Sequence, residues 1–267
     1  MRYAKGTLVI TEERDIPLLR HVRNARFVSH EQLFELMALD CLGSCRTTFN
    51  WRIRRLVKSG HIQRLPRMNW QRSRVYFISA HGLSELETRG EFLMAMHSGN
   101  RQKPDPVRAA HALHLTGIRL ALARSGLLVS WLSEVEISSA NTISKMTAAE
   151  PYAKNYDAVV KVWVEGEVRE FALEYERSLK SVPRYEKIRE LLDGEQRVAS
   201  VLYLTASADM LMMLAYHLAS PSQRIAFATA RSFEQSLLET SVATDSGGDL
   251  VSLERFLRYS HPLYRRV

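Results

Sequence analysis

The sequence predicts an α/β chain, α+β overall, in two parts: a helical N-terminal unit finished by a basic β-hairpin, and a C-terminal α/β layer with a mixed sheet. Residues 1–100 carry three amphipathic helical stretches and then two short apolar segments of strand type. The segment 97–106, HSGNRQKPDP, has no apolar periodicity and holds two prolines, so it reads as a joint. Beyond it, helical and strand patterns follow in the order α, β, β, β, α, β with additions, as in a layered α/β fold. The expected domains are therefore residues 1–100 and 104–267.

In the first part, Thr11 to Arg23 reads as a helix with Thr11 or Glu12 near its cap and Ile16, Leu19 and Val22 on one face. Ser29 caps a second helix, in which Leu33, Leu36 and Met37 recur at helical spacing. In the turn DCLGS, Gly43 is free to take a positive φ and Ser44 is placed to cap a third helix running to about Ser59. Phe49, Ile53, Leu56 and Val57 form its buried stripe, which leaves Ser44, Thr47, Thr48, Trp51, Arg54, Arg55 and Lys58 facing outward. After Gly60, HIQRLP and RVYFIS read as strands joined by the basic loop RMNWQRS. Three helices and a basic hairpin make a winged helix-turn-helix. Gly82 to Met96 is expected to be a helix that closes the domain or makes a dimer contact.

In the second part, Val107 to Arg124 reads as a long helix packing through Ala110, Leu113, Gly117, Ile118 and Ala121. Leu127 to Ile137 reads as a strand followed by a polar loop. YDAVVKVWV and REFALEYE alternate around EGEV as a hairpin with Gly166 in its turn. Pro183 opens a helix to Leu192, VASVLYLTA is a strand of the buried kind, Asp209 to Leu218 is a helix, and RIAFATA is one more strand.

Charge separates the two parts. The chain has 267 residues, 46% hydrophobic and 25% charged, the balance of a folded globular protein. Its formal net charge of +8 is unevenly spread: residues 1–103 hold 18 basic and 9 acidic side chains, and residues 104–267 hold 19 and 20. From Arg46 to Arg74 there are nine basic residues and no acidic one. Such a surface attracts a polyanion, and the third helix has the width to enter a DNA major groove. The expected partner is double-stranded DNA, met by Arg46, Thr47, Thr48, Trp51, Arg54, Arg55 and Lys58 from the helix and by Arg67, Arg72 and Arg74 from the hairpin. Two half-sites multiply affinity, so a homodimer is the default. Trp51 and Trp70 either pack on the helix–hairpin junction or stack on sugar and bases.

Several chemistries lack sequence support. Cys41 and Cys45 are the only cysteines and make no disulfide framework. No apolar run approaches the roughly 18 residues of a membrane span, and MRYAKGTLVITEERD has no signal-peptide core, so no membrane partner and a cytoplasmic protein are expected. His111 and His114, three apart on a helix, fit ordinary packing better than metal ligation. There is no phosphate-binding P-loop, no dinucleotide fingerprint and no nucleophile elbow.

One acidic constellation remains. Glu174 and Glu176, two apart on a strand, share a face, and Asp157 on the neighbouring strand can join them. Three converging carboxylates are hard-oxygen ligands of the kind that hold Mg²⁺. Their order and spacing resemble the core of the PD-(D/E)xK nuclease-like superfamily, whose αβββαβ unit carries an Asp on its second strand and Glu-x-Lys on its third. The resemblance implies a nuclease-like C-terminal domain in which Asp157, Glu174 and Glu176 form the catalytic and metal site. Glu176 stands where the family has lysine. The loss of that lysine often marks an inactive member of the family, although some restriction endonucleases use Glu there, so the domain is expected to be degenerate, with no cofactor unless the site is active and takes Mg²⁺. Lys180 and Lys187 are candidates for a displaced amine.

The whole arrangement also resembles the replication-relaxation family of plasmid and mobile-element proteins over roughly residues 12–205. The resemblance rests on the N-terminal winged helix, the small-residue helix, W-x-x-E at Trp131 to Glu134, YDA at Tyr156 to Ala158, and the acidic strand end with its basic helix, ALEYERSLKSVPRYEKIREL. It implies a sequence-specific DNA-binding protein, either a transcriptional regulator or an accessory factor in plasmid or mobile-element replication and mobilisation. Two alternatives stand beside it. One is a metal-dependent DNA endonuclease targeted by the winged helix. The other is a regulator whose C-terminal domain senses a ligand or a protein partner.

Overall fold

The computed structural model describes residues 9–42, 45–66, 73–100, 105–219, 224–244 and 250–258. Two compact units divide the chain, Met1–Leu120 and Ala121–Val267. The break falls inside a helix, 16 residues past the expected start of the second domain at residue 104, so the beginning of that helix belongs with the first unit.

The first unit is built from α1 (Asp15–Ala25), β1 (Val28–Ser29), α2 (His30–Leu39), α3 (Arg46–Lys58), β2 (Ile62–Arg64), β3 (Val75–Ile78), α4 (Ala80–Glu87) and the opening turns of α5 (Pro106–Arg124). Its strands form an antiparallel sheet in the order β1-β3-β2. Ile16, Leu19 and Val22 are buried on α1, as the periodicity predicts. That helix starts later than expected, however. Thr11 lies one turn upstream, where its N–H and hydroxyl both donate to Asp15 Oδ2 (2.9 and 3.0 Å). Ser29 caps α2 in a reciprocal box with Gln32.

On α3, Phe49, Ile53 and Leu56 are buried, Val57 is half-buried, and Arg52 is buried as well. Arg52 Nη1 donates to Asp15 Oδ1 at 2.6 Å, which carries its charge into the core. The N-cap of α3 is Cys45, and the expected cap Ser44 and the turn residue Gly43 lie outside the described residues. Helix α4 ends at Glu87 rather than continuing to Met96, and turns follow. Within α4, a Cβ on Gly82 would sit 2.2 Å from the His61 carbonyl oxygen, so only glycine lets the helix approach the hairpin this closely. Ala109 and Ala112 of α5 close a cluster made by Phe27, Leu65, Val75 and Phe77. Ala109, Ala112, Thr116, Ile118, Leu120 and Leu122 of α5 are buried, so of the expected face Ile118 is buried while Ala110, Leu113, Gly117 and Ala121 are half-buried.

The second unit is a mixed five-stranded sheet with helices. Its elements are β4 (Leu128–Ser133), α6 (Glu134–Ser144), β5 (Ala158–Val164), β6 (Glu167–Glu176), α7 (Val182–Asp193), β7 (Ser200–Thr205), α8 (Ala208–Leu218), β8 (Arg224–Thr229), α9 (Ala230–Ser236), β9 (Ser241–Val242), β10 (Val251–Ser252) and α10 (Leu253–Arg258). The sheet order is β4-β5-β6-β7-β8, antiparallel through β6 and parallel from β6 to β8, with β9 and β10 as a separate antiparallel pair. Glu165 and Gly166 turn β5 into β6 in two residues, both at positive φ (48° and 84°), the geometry that the twist of a tight hairpin requires.

The expected strand Leu127 to Ile137 is two elements. It leaves the sheet at Ser133, which caps α6 together with Glu136. A helix therefore takes the end of the expected strand and the first part of the expected polar loop, and is inserted between the first and second strands of the αβββαβ order. One face of the sheet buries Val159, Ala172, Val201 and Tyr203 against Tyr185 and Leu192 of α7 and Leu214 and Leu218 of α8. Among the described residues, no helix is long and apolar enough to cross a membrane.

Candidate functional site

Helix α3 presents a polar face because its apolar side chains recur every three to four residues and leave the opposite side to threonine and basic residues. Thr47, Arg54 and Lys58 are exposed, and Arg46, Thr48 and Arg55 are half-buried. Trp51 is 54% exposed, and the Arg55 guanidinium stacks over its ring with the carbon 4.3 Å from the centroid. Arg55 Nη2 also donates to the Val9 carbonyl at 3.3 Å. Arg46 pairs with Glu31 and lies 4.5 Å over the Phe34 ring, so its charge is largely matched within the fold. Thr48 faces the Cys45 sulfur at 3.2 Å, and hydrogen bonds from Thr48 hold that thiol below its ordinary pKa. Arg74 is exposed at the start of β3, whereas Arg67, Arg72 and Trp70 lie outside the described residues.

A cleft of about 270 Å³ opens between α3, the start of α2 and the hairpin, and Arg54 and Arg74 are both in its wall. The sheet register explains the rest of the lining. Arg64 is the cross-strand partner of Tyr76, and Arg74, two residues before Tyr76, shares its face. Burial raises the pKa of the buried Tyr76 phenol, and the positive charges of Arg64 and Arg74 oppose that shift. The hydroxyl lies 3.1 Å from His30 Nδ1, and His30 Nε2 lies 2.7 Å from Asn50 Oδ1. Burial, offset by the Asn50 hydrogen bond, lowers the His30 pKa, which leaves the ring neutral at pH 7. His30, Asn50, Arg64 and Tyr76 were not among the sequence candidates. Asn50 lies one turn before Arg54 on the same helix face, and Arg64 lies within the acid-free stretch, so both carried a readable signal.

In the second unit, Asp157, Glu174 and Glu176 lie at one end of β5 and β6 on a common face. Ala158 pairs with Leu173, which puts Asp157 beside Glu174 one step further along the ladder. Asp157 Oδ2 accepts the Tyr175 N–H at 2.7 Å. Glu174 and Glu176 are each 6% exposed. Lys154 Nζ is 2.8 Å from Glu174 Oε2, and Lys180 Nζ pairs with Glu176. Burial, reinforced by the Asp157 charge, pushes the Glu174 carboxyl above its usual pKa against the pull of Lys154. Burial lowers the Lys180 pKa, and Glu174 opposes that shift. Tyr203, the parallel-strand neighbour of Glu174, is buried with a pKa raised well above that of a free phenol. Lys154 was missed because it stands in an aperiodic stretch before β5. Lys187 is not among the ion-pair partners of the three carboxylates.

The donor set has the hard-oxygen chemistry of a Mg²⁺ site, and among the described residues Glu174 Oε1 is buried with no hydrogen-bond partner. Ammonium groups stand on Glu174 and Glu176, and a backbone N–H stands on Asp157. Among the described residues, no group of three or more His, Cys, Asp or Glu is disposed to hold a metal ion. Comparison with family models, curated proteins and solved structures finds no match to the chain.

Proposed function

We propose that the chain is a duplex-DNA-binding protein whose first unit is a winged helix-turn-helix, with α3 in the major groove and the β2–β3 hairpin as the wing. The observation that carries this reading is the exposed face of Thr47, Arg54 and Lys58 on α3 within a stretch, Arg46 to Arg74, that contains no acidic residue. Capping, core packing and ion pairing account for the rest of that helix, whereas among the described residues the side chains of Thr47, Arg54 and Lys58 take part in no ion pair or side-chain hydrogen bond. The antiparallel hairpin beside it adds Arg64 and Arg74. On this reading the second unit is a nuclease-like sheet used for assembly, partner contact or homodimer formation. On the same reading Lys154 and Lys180, in place of a metal, neutralise Glu174 and Glu176. The process served is regulation, or replication and mobilisation of a plasmid or mobile element, by the resemblance described above.

Arg54→Ala and Lys58→Ala should weaken duplex binding while leaving the melting temperature unchanged, because both side chains are exposed. A base-reading contact costs about 1 to 3 kcal/mol and relaxes preference at one position, whereas a phosphate contact weakens all sequences alike. Mobility-shift titrations against a random-sequence pool read both effects, and unchanged affinity in both variants would overturn the reading. Nicking of supercoiled plasmid by the pure protein with Mg²⁺, lost in Asp157→Asn, would replace it with the endonuclease alternative.

A further inference from the structure

The cleft between α3 and the hairpin gathers positive charge from three directions of the chain. Arg54 comes from α3, Arg64 from β2, and Arg74 from the residue before β3. None of the three takes part in an ion pair among the described residues. Like charges held this close repel one another, and an anion between them relieves the repulsion. Among the described lining residues Glu31 is the one acid, and its charge is already matched by Arg46, whose hydrogen bond holds the carboxyl below its usual pKa.

Behind the arginines runs a chain of hydrogen bonds with a defined direction. The Tyr76 hydroxyl, under the positive charges of Arg64 and Arg74, donates to His30 Nδ1. The neutral His30 ring then donates its Nε2–H to Asn50 Oδ1. That contact uses Asn50 Oδ1, and Asn50 itself lines the cleft. The wall therefore offers guanidinium and amide N–H groups, the donor set that suits phosphoryl oxygens. The volume of about 270 Å³ lies below the roughly 300 Å³ at which pockets for drug-sized ligands begin, so the occupant is small.

We propose that this cleft is a phosphate-binding pocket, in which Arg54, Arg64, Arg74 and Asn50 hold one phosphoryl group and His30 and Tyr76 act as positioning residues. The duplex-binding reading supplies the nearest source of that group, a backbone phosphodiester, while a phosphomonoester offers the same chemistry. The experiment compares full-length wild type, Arg64→Gln/Arg74→Gln and Arg54→Gln with two probes: a 20-base-pair duplex titrated across salt, and AMP titrated calorimetrically.

For a backbone phosphate, the log–log salt slope of duplex binding becomes shallower by about 0.9 in the variants, the share of one phosphate, and AMP does not bind. For a phosphomonoester, the wild type binds AMP, the variants lose that binding, and the duplex slope stays unchanged; the pocket then stands and only its source changes. Variants indistinguishable from wild type with both probes would overturn the pocket. A wild type that binds no duplex sinks the duplex reading alone, and the AMP titration then decides the pocket by itself. If the double variant fails to fold, Arg54→Gln, exposed on α3, carries the same readouts.

Discussion

Arg52 and Asp15 make the clearest case of a charge that sequence reasoning could count but not place. Both are buried, and they stand 37 residues apart in the chain. Helical spacing alone puts Arg52 next to the buried stripe of Phe49, Ile53 and Leu56, but only its partner makes its burial tolerable. Removing one member of such a pair leaves an uncompensated charge in the core, at a typical cost of about 3 to 5 kcal/mol. Arg52→Met should therefore destabilise the first unit by that order, measured by denaturant unfolding. Asp15→Leu/Arg52→Met should recover much of the loss, because neither charge then remains. A single variant that loses less than about 1 kcal/mol would show that water or Thr11 already satisfies Asp15.

Local signals served well for the elements whose reasons are local. The Ser29–Gln32 box of α2 and the Glu165–Gly166 turn are both written in a few adjacent residues. Helix α6 shows the opposite case. Ser133, Val135, Ile137 and Ser139 are buried at every second position, which imitates a strand, although they lie at or within a helix. The overlooked signal was Ser-x-x-Glu at Ser133 and Glu136, a capping box that marks a helix start. The beginning of α5 was likewise assigned to the second domain, since nothing in its own pattern shows that Ala109 and Ala112 cover Phe27, Val75 and Phe77. A fragment ending at Asn100 should for that reason be less stable than one ending at Arg124 by about 2 to 3 kcal/mol, the worth of one large apolar side chain left in water. Equal melting temperatures for the two fragments would show that α5 is dispensable to the first unit.

Across the molecule, the two units handle charge in different ways. In the second, acidic and basic side chains nearly balance in number, and the buried carboxylates of Glu174 and Glu176 each have a lysine partner. In the first, the excess is concentrated on α3 and the hairpin, and Arg54, Arg64 and Arg74 have no acidic partner among the described residues. This asymmetry was legible from composition alone, because net charge does not depend on the fold. The site it marks was only partly legible: the outward face of α3 follows from helical period, whereas the Arg64–Tyr76–His30–Asn50 chain needs the strand register and a contact between elements far apart in sequence. The most direct measurement is the affinity of the full chain for duplex DNA as salt is raised from low to physiological concentration. Neutralisation of three or more phosphates predicts a log–log slope of about −3 or steeper, at roughly −0.9 for each phosphate. A flat profile, or no binding at low salt, would contradict the assignment of the first unit as a DNA-binding module.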